Sequence, residues 1–185
     1  MRASCQIALL LCLLLPAPLA ADQVRLGSHQ FTLPEGFTIE PACVPDLCSR
    51  PITATLDEEG NLYASDSSGS NEKVEEQLRK RPHRILRLQD RDGDGTYEKR
   101  TVFADRMMFP EGTLWHDGSL YVSAPPSIWK LTDTDGDGVC DEREEWFKGT
   151  LTGCANDLHG PYLGLDGWLD RKSTRLNSSH VPISY

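Results

Sequence analysis

No apolar run in this sequence is long enough to cross a bilayer. The longest, Ile7 to Leu15, falls short of the roughly 20 residues that a hydrocarbon core of about 30 Å requires, and nothing after it resembles a stop-transfer segment. The expectation is a mature protein that is soluble or peripheral, with no transmembrane span. Basic residues are also scarce, with 19 Lys and Arg against 28 Asp and Glu and a formal charge of −9. Such a chain lacks the basic patches that nucleic acid or an anionic membrane surface would need, so no nucleic-acid partner is expected. Cations and neutral substrates remain open. A Cys-x-x-Cys-His haem site is missing as well.

What is present begins with an export signal. Arg2 supplies a positive start, Ile7 to Leu15 the apolar stretch, and Pro16-Ala-Pro-Leu-Ala-Ala21 a small-residue exit. Residues 1–21 therefore read as a cleaved signal peptide, and the mature protein as secreted or periplasmic. Leu9-Leu-Leu-Cys12 loosely resembles a lipoprotein cysteine, but the residue before the cysteine is bulky and the exit lies beyond it. At the other end, residues 170–185 change character: an acidic, strand-patterned chain turns basic and Ser-rich, without core periodicity. Asp170-Arg-Lys-Ser-Thr-Arg-Leu-Asn-Ser-Ser-His180 looks like a translated sequencing-library adapter, which makes 170–185 an expected artefact.

Between these ends the chain repeats itself. Leu56-Asp-Glu-Glu-Gly-Asn-Leu-Tyr-Ala-Ser65 matches Leu114-Trp-His-Asp-Gly-Ser-Leu-Tyr-Val-Ser123, each pattern predicting a β-hairpin. Ile85-Leu-Arg-Leu-Gln-Asp-Arg-Asp-Gly-Asp-Gly95 matches Ile128-Trp-Lys-Leu-Thr-Asp-Thr-Asp-Gly-Asp-Gly138, a period-2 strand running into an acidic loop. A period of about 40 to 50 residues containing four strands is the signature of a propeller blade.

The predicted class is all-β, a partial β-propeller of two to three four-stranded blades. Residues 22–50 lead in, 51–105 form the first blade, 106–150 the second, and 151–169 start a third at Leu163-Gly-Leu-Asp-Gly-Trp-Leu169. A propeller typically needs four to eight blades, so the sequence is expected to be an incomplete fragment. The first blade carries a charged insert, 71–81. There Glu72 and Glu76 repel while Glu75/Arg79 and Glu76/Lys80 attract, which predicts a short solvated helix on a blade edge.

The acidic loops carry the clearest chemistry. In Asp90-Arg-Asp-Gly-Asp-Gly-Thr-Tyr-Glu98, carboxylates fall at positions 1, 3, 5 and 9 (Asp90, Asp92, Asp94, Glu98), with Gly95 at the sharp turn and Thr96 offering a carbonyl. Asp133, Asp135, Asp137 and Asp141 repeat the pattern around Gly138, Val139 offers the carbonyl, and Glu144 stands at position 12. Hard oxygen ligands at this spacing suit Ca2+, in a structural role. Asp and Gly also favour plain turns, but three like charges within five residues repel one another unless a cation joins them. The period-2 flanks argue against a helix-flanked loop.

Six cysteines fall to four once the signal is removed: Cys43, Cys48, Cys140 and Cys154. Export and an even count make them disulfide candidates, and proximity favours Cys43 with Cys48 and Cys140 with Cys154 among three pairings.

Pro34-Glu-Gly-Phe-Thr-Ile-Glu40, Pro51-Ile-Thr-Ala-Thr-Leu-Asp-Glu-Glu-Gly-Asn-Leu-Tyr63 and Asn156-Asp-Leu-His-Gly-Pro-Tyr-Leu-Gly-Leu-Asp-Gly-Trp168 together resemble a known group. It is the N-terminal propeller of the membrane-bound dehydrogenase family of planctomycete-type bacteria, related to glucose/sorbosone dehydrogenases that use pyrroloquinoline quinone. The resemblance covers Leu33 to Leu169. It implies a six-bladed propeller with a quinone on its axis, a downstream cytochrome as acceptor, and a histidine that takes a proton from a sugar or alcohol hydroxyl. His159 is the matching position, although the segment before the following Asp-Gly turn is about three residues shorter than in the soluble enzymes. Arg84 is a candidate to face the quinone carboxylates. His116 is expected to be exposed in a hairpin turn, while His29 and His83 have no evident partners.

Three functions follow. The first is a secreted quinoprotein-like dehydrogenase acting on a sugar or alcohol. The second is a non-enzymatic, calcium-stiffened propeller that binds protein or polysaccharide. The third is a propeller lactonase, which would need inward-facing Glu, Asn and Asp from several blades.

Overall fold

The computed structural model describes residues 22–151, 158–173 and 179–182, with only the backbone path for 171–173 and 179–182. The expected signal peptide and Cys154 lie outside the described residues. The chain divides into two compact units, 1–41 and 42–185. In the first, β1 (Asp22–Leu26) and β2 (His29–Leu33) form an antiparallel hairpin.

The second unit is built from three sheets. In the first sheet, β3 (Pro51–Leu56), β4 (Leu62–Asp66), β5 (His83–Gln89) and β6 (Lys99–Met107) pair in chain order, with helix α1 (Val74–Lys80) inserted between β4 and β5. The second sheet repeats the meander with β7 (Gly112–His116), β8 (Ser119–Ala124), β9 (Ser127–Thr132) and β10 (Glu142–Phe147). The third has β11 (Leu158–Leu163), β12 (Trp168–Ser173) and β13 (Ser179–Pro182). All pairings between these strands are antiparallel, an isolated parallel bridge joins Cys43 to Tyr97 and, among the described residues, no sheet closes into a barrel. The fold is all-β.

Side-chain alternation explains how the sheets stack. Tyr63, Ile85 and Phe103 of the first sheet pack against Leu120, Val122 and Leu131 of the second. Tyr63 meets Phe103 edge-on at 4.9 Å and stacks on Trp115 at 4.8 Å. The opposite face of the second sheet offers Tyr121 and Ile128 to Leu158 and Leu169 of the third. Covered on both faces, β8 is buried along its whole length, and its apolar residues run on without a solvent side. Each fully buried Ile, Leu or Phe contributes about 1.5–3 kcal/mol.

The leading strands of the sheets lie close together, β3 against β7 and β7 against β11. Gly112 allows the second of these contacts, since a Cβ there would overlap the Gly160 carbonyl oxygen. Backbone therefore meets backbone where β7 crosses β11. The third sheet starts at Leu158, earlier than its Asp-Gly turn suggested, so His159 sits within its leading strand and not in a loop ahead of it.

Helix α1 is more firmly held than a solvated insert would be. Lys80 bridges Glu72 and Glu76, relieving their repulsion, and Arg79 reaches Glu76 at 2.7 Å. Gln77 is buried: its Nε2 donates to the Glu72 carbonyl (2.8 Å) and its Oε1 meets His83 Nε2 (3.1 Å). His83 is itself 1 % exposed and its Nδ1 accepts the Ser68 N–H, so the sequence's isolated histidine is the anchor of the insert. His116 ends β7 half-buried, since the strand extends up to the Asp117-Gly118 turn.

Candidate functional site

The two acidic loops join β5 to β6 and β9 to β10, and they share one internal design. Asp90 accepts N–H groups from Gly93 (2.7 Å) and Gly95 (2.9 Å), as Asp133 does from Gly136 (2.7 Å) and Gly138 (2.8 Å). Gly95 and Gly138 turn at φ of 90° and 89°, a conformation glycine reaches without a Cβ clash. The Gly95 N–H foremost holds the Asp90 carboxyl below the usual carboxylate range. Asp141 is lowered likewise by the Thr134 N–H and hydroxyl, at 2.8 and 3.0 Å.

Ligand-capable oxygens of Asp90, Asp92 and Glu98 lie within 4.8 Å of one another, as do those of Asp133, Asp135 and Asp141. Asp94 and Asp137 stand outside these groups of three, each accepting the N–H two residues on, from Thr96 and Val139 at 2.7 Å. Glu144 is a correction. It lies on β10 opposite Lys130, because pairing with β9 draws the chain away from the loop, whereas a helix would have turned position 12 back toward it. The donor set that remains is three hard oxygens per loop, which fits a calcium ion that completes its shell from carbonyls and water.

His159 has a partner that the sequence did not single out. Its Nδ1 lies 3.8 Å from Glu111 Oε2, with the imidazole 40 % and the carboxylate 5 % exposed. Glu111 precedes β7 and its N–H is tied to the Ser123 carbonyl at 2.9 Å, while the Gly112–Gly160 approach fixes β7 against β11. A buried carboxylate beside one ring nitrogen orients the imidazole and leaves Nε2 for chemistry. The available signal was Pro110-Glu-Gly112, a repeat of Pro34-Glu-Gly36.

Arg84 is engaged elsewhere. Its Nε and Nη2 fork onto Asp66 Oδ2 at 2.9 and 2.7 Å. Asp66 also accepts the N–H groups of Ser49 (3.2 Å) and Arg50 (2.8 Å). Burial alone would raise the Asp66 carboxyl, but these donors hold it below its ordinary value.

Cys43, Cys48 and Cys140 are free thiols, so the expected Cys43–Cys48 bond is not formed, while the expected partner of Cys140, Cys154, lies outside the described residues. The Cys48 Sγ donates to Asp66 at 3.6 Å, and burial together with that carboxylate pushes its pKa up to about 11. Cys140 is buried and donates to the Glu142 carbonyl at 3.1 Å.

No helix among the described residues is long and apolar enough to cross a membrane. No curated protein and no solved structure matches the chain. One family model matches residues 25–181, a span that takes in all three sheets and includes much of the stretch read as foreign. The chain, with its repeated meanders and paired acidic loops, belongs to the family described as Domain of unknown function (DUF7133).

Proposed function

We propose that this chain forms blades of an exported, calcium-braced β-propeller in which His159, oriented by Glu111, is the general base toward a hydroxyl of a sugar or alcohol. The observation that carries the reading is the pairing of a part-exposed imidazole with a buried carboxylate where two leading strands meet. In a propeller these strands line the axis, where substrates bind. The base takes the hydroxyl proton on Nε2, and Glu111 stabilises the imidazolium on the other side. A quinone, the group that the family resemblance suggests, would accept the hydride. Among the described residues Arg84, the cation expected to face its carboxylates, is held by Asp66 and does not fill that role.

The acidic loops favour a second reading, a calcium-stiffened binding propeller without catalysis. Three carboxylates within 4.8 Å repel by about 1 kcal/mol per pair even in water, a cost that a bound cation reverses.

One experiment separates the two. The full-length protein, supplied with calcium and pyrroloquinoline quinone, is assayed for dye reduction on a panel of aldoses and alcohols and melted with and without chelator. The dehydrogenase reading expects turnover that His159→Ala abolishes and Glu111→Gln lowers by about 10–100-fold, with calcium-dependent melting retained in both variants. Turnover that survives His159→Ala removes the base. Calcium-dependent melting with no turnover on any substrate leaves the binding propeller. A melting temperature indifferent to chelation removes calcium from both readings.

A further inference from the structure

Away from the acidic loops and the His159 pair, an open cleft runs between helix α1, the end of β6 and the outer strands of the second sheet. Its two lobes hold about 110 and 530 Å³ and share Leu78, Arg81, Arg106 and Arg143. Four arginines, Arg79, Arg81, Arg106 and Arg143, line the larger lobe together with Lys80 and Asp105, in a chain whose formal charge is −9. Arg143 is fixed by Asp105, through the carbonyl at 2.7 Å and the carboxylate at 3.0 Å. Arg81 and Arg106 form no ion pair or side-chain hydrogen bond among the described residues.

Both of those arginines hold a left-handed backbone, with φ of 46° at Arg81 and 54° at Arg106. A non-glycine residue in this region costs on the order of 1–2 kcal/mol, and glycine is the ordinary occupant. Arg81 is moreover the residue that ends α1, its N–H bonded to the Gln77 carbonyl at 2.7 Å, a position where glycine is preferred. Two strained arginines facing one recess, both without a side-chain hydrogen bond or ion pair among the described residues, mark side chains held for what they contact there. Beneath them the wall is apolar, with Pro125, Pro126 and the half-buried Trp129. On the same side Ser127 Oγ donates to Glu145 at 2.6 Å, a polar pair able to meet hydroxyl groups.

We infer that this cleft binds a carboxylate carried on a six-membered ring, the chemistry of a uronate sugar. The arginine forks take the carboxylate, a planar bidentate match that lysine does not provide. The Trp129 and proline faces take the ring, and Ser127 and Glu145 its hydroxyls. This site is independent of the proposed base, and its ligand is an acidic saccharide.

The test uses the full-length protein, tri-galacturonate as probe, and titration followed by calorimetry and by tryptophan fluorescence at low salt. Binding is expected, weakening as salt rises, with neutral galactotriose failing to bind. Arg81→Gly and Arg106→Gly relax the backbone while removing the forks, so each is expected to melt at or above the parent temperature and to bind tri-galacturonate at least 10-fold more weakly. Arg106→Lys, which keeps the charge and loses the fork, is also expected to weaken binding. Benzoate binding alongside the uronate supports the ring–carboxylate chemistry from a second source. The inference is overturned if tri-galacturonate does not bind, if the glycine variants bind as the parent does, or if inorganic phosphate or galactotriose competes equally.

Discussion

The two acidic loops have the same inner hydrogen bonds but grip different pieces of chain, and the equivalence of those pieces is instructive. Position 8 of the second loop is Cys140, whose N–H donates to the Phe103 carbonyl at 2.8 Å and so ties the loop to the outer strand of the preceding sheet. Position 8 of the first loop is Tyr97, whose N–H donates to the Ala42 carbonyl at 2.9 Å while its carbonyl accepts the Val44 N–H at 3.1 Å. Residues 42–44 thus stand to the first sheet as β6 stands to the second. The end of the segment that looked like a lead-in supplies the contact of an outer strand. The second loop is further embraced by Arg87, whose Nη1 lies 2.6 Å from where a Cβ on Gly138 would be. The first has the Tyr97 hydroxyl on the Gly60 carbonyl at 2.9 Å. One loop is sealed between two sheets, the other against a single strand of chain.

The largest test of that difference is Phe103→Ala. Phe103 is fully buried where the two sheets meet, and its truncation is expected to cost about 3–5 kcal/mol, read from urea unfolding. Amide exchange should then quicken at Cys140 far more than at Tyr97. Equal acceleration at both would show that the loops share one support. A smaller effect is expected from starting the chain at Pro45, which removes the two bonds to Tyr97. At roughly 0.5–1.5 kcal/mol each they amount to about 1–3 kcal/mol. Here exchange at Tyr97 should quicken while Cys140 stays protected, and an unchanged Tyr97 would end the equivalence of 42–44 with β6.

What the sequence disclosed follows the range of the interactions. The Asp117-Gly118 hairpin was legible because both residues must take positive φ, 48° and 69°, in a two-residue turn that matches the strand twist. The acidic loops were legible because their hydrogen bonds run within a few residues, so spacing carries geometry. Glu144 failed because position 12 depends on whether strand or helix follows. The Cys43–Cys48 pairing was not legible because Asp66, distant in sequence, claims the Cys48 thiol. Glu111 beside His159, and Arg81, Arg106 and Arg143 in one cleft, arise only when sheets stack, and no local pattern records that.

The smallest effect belongs to the insert that only the first sheet carries. His83 accepts the Ser68 N–H on Nδ1 and meets Gln77 with Nε2, so a second ring proton has no acceptor and would displace Ser68. Burial holds its pKa below the ordinary 6.5. The unfolded chain therefore binds the extra proton first as pH falls. Stability from this residue is complete above pH 6.5 and drains away between there and the lower folded pKa, by at most about 1.4 kcal/mol per pH unit. Urea unfolding at pH 7.5, 6.5 and 5.5 should show this slope, and His83→Gln should flatten it at some loss of stability at pH 7.5. The carboxyls of Asp66, Asp90 and Asp141 titrate below the ordinary 3.8, so they leave this window undisturbed. Parallel profiles for parent and variant would mean that the insert is not anchored through a neutral His83, and that α1 depends on Gln77 and its charged pairs alone.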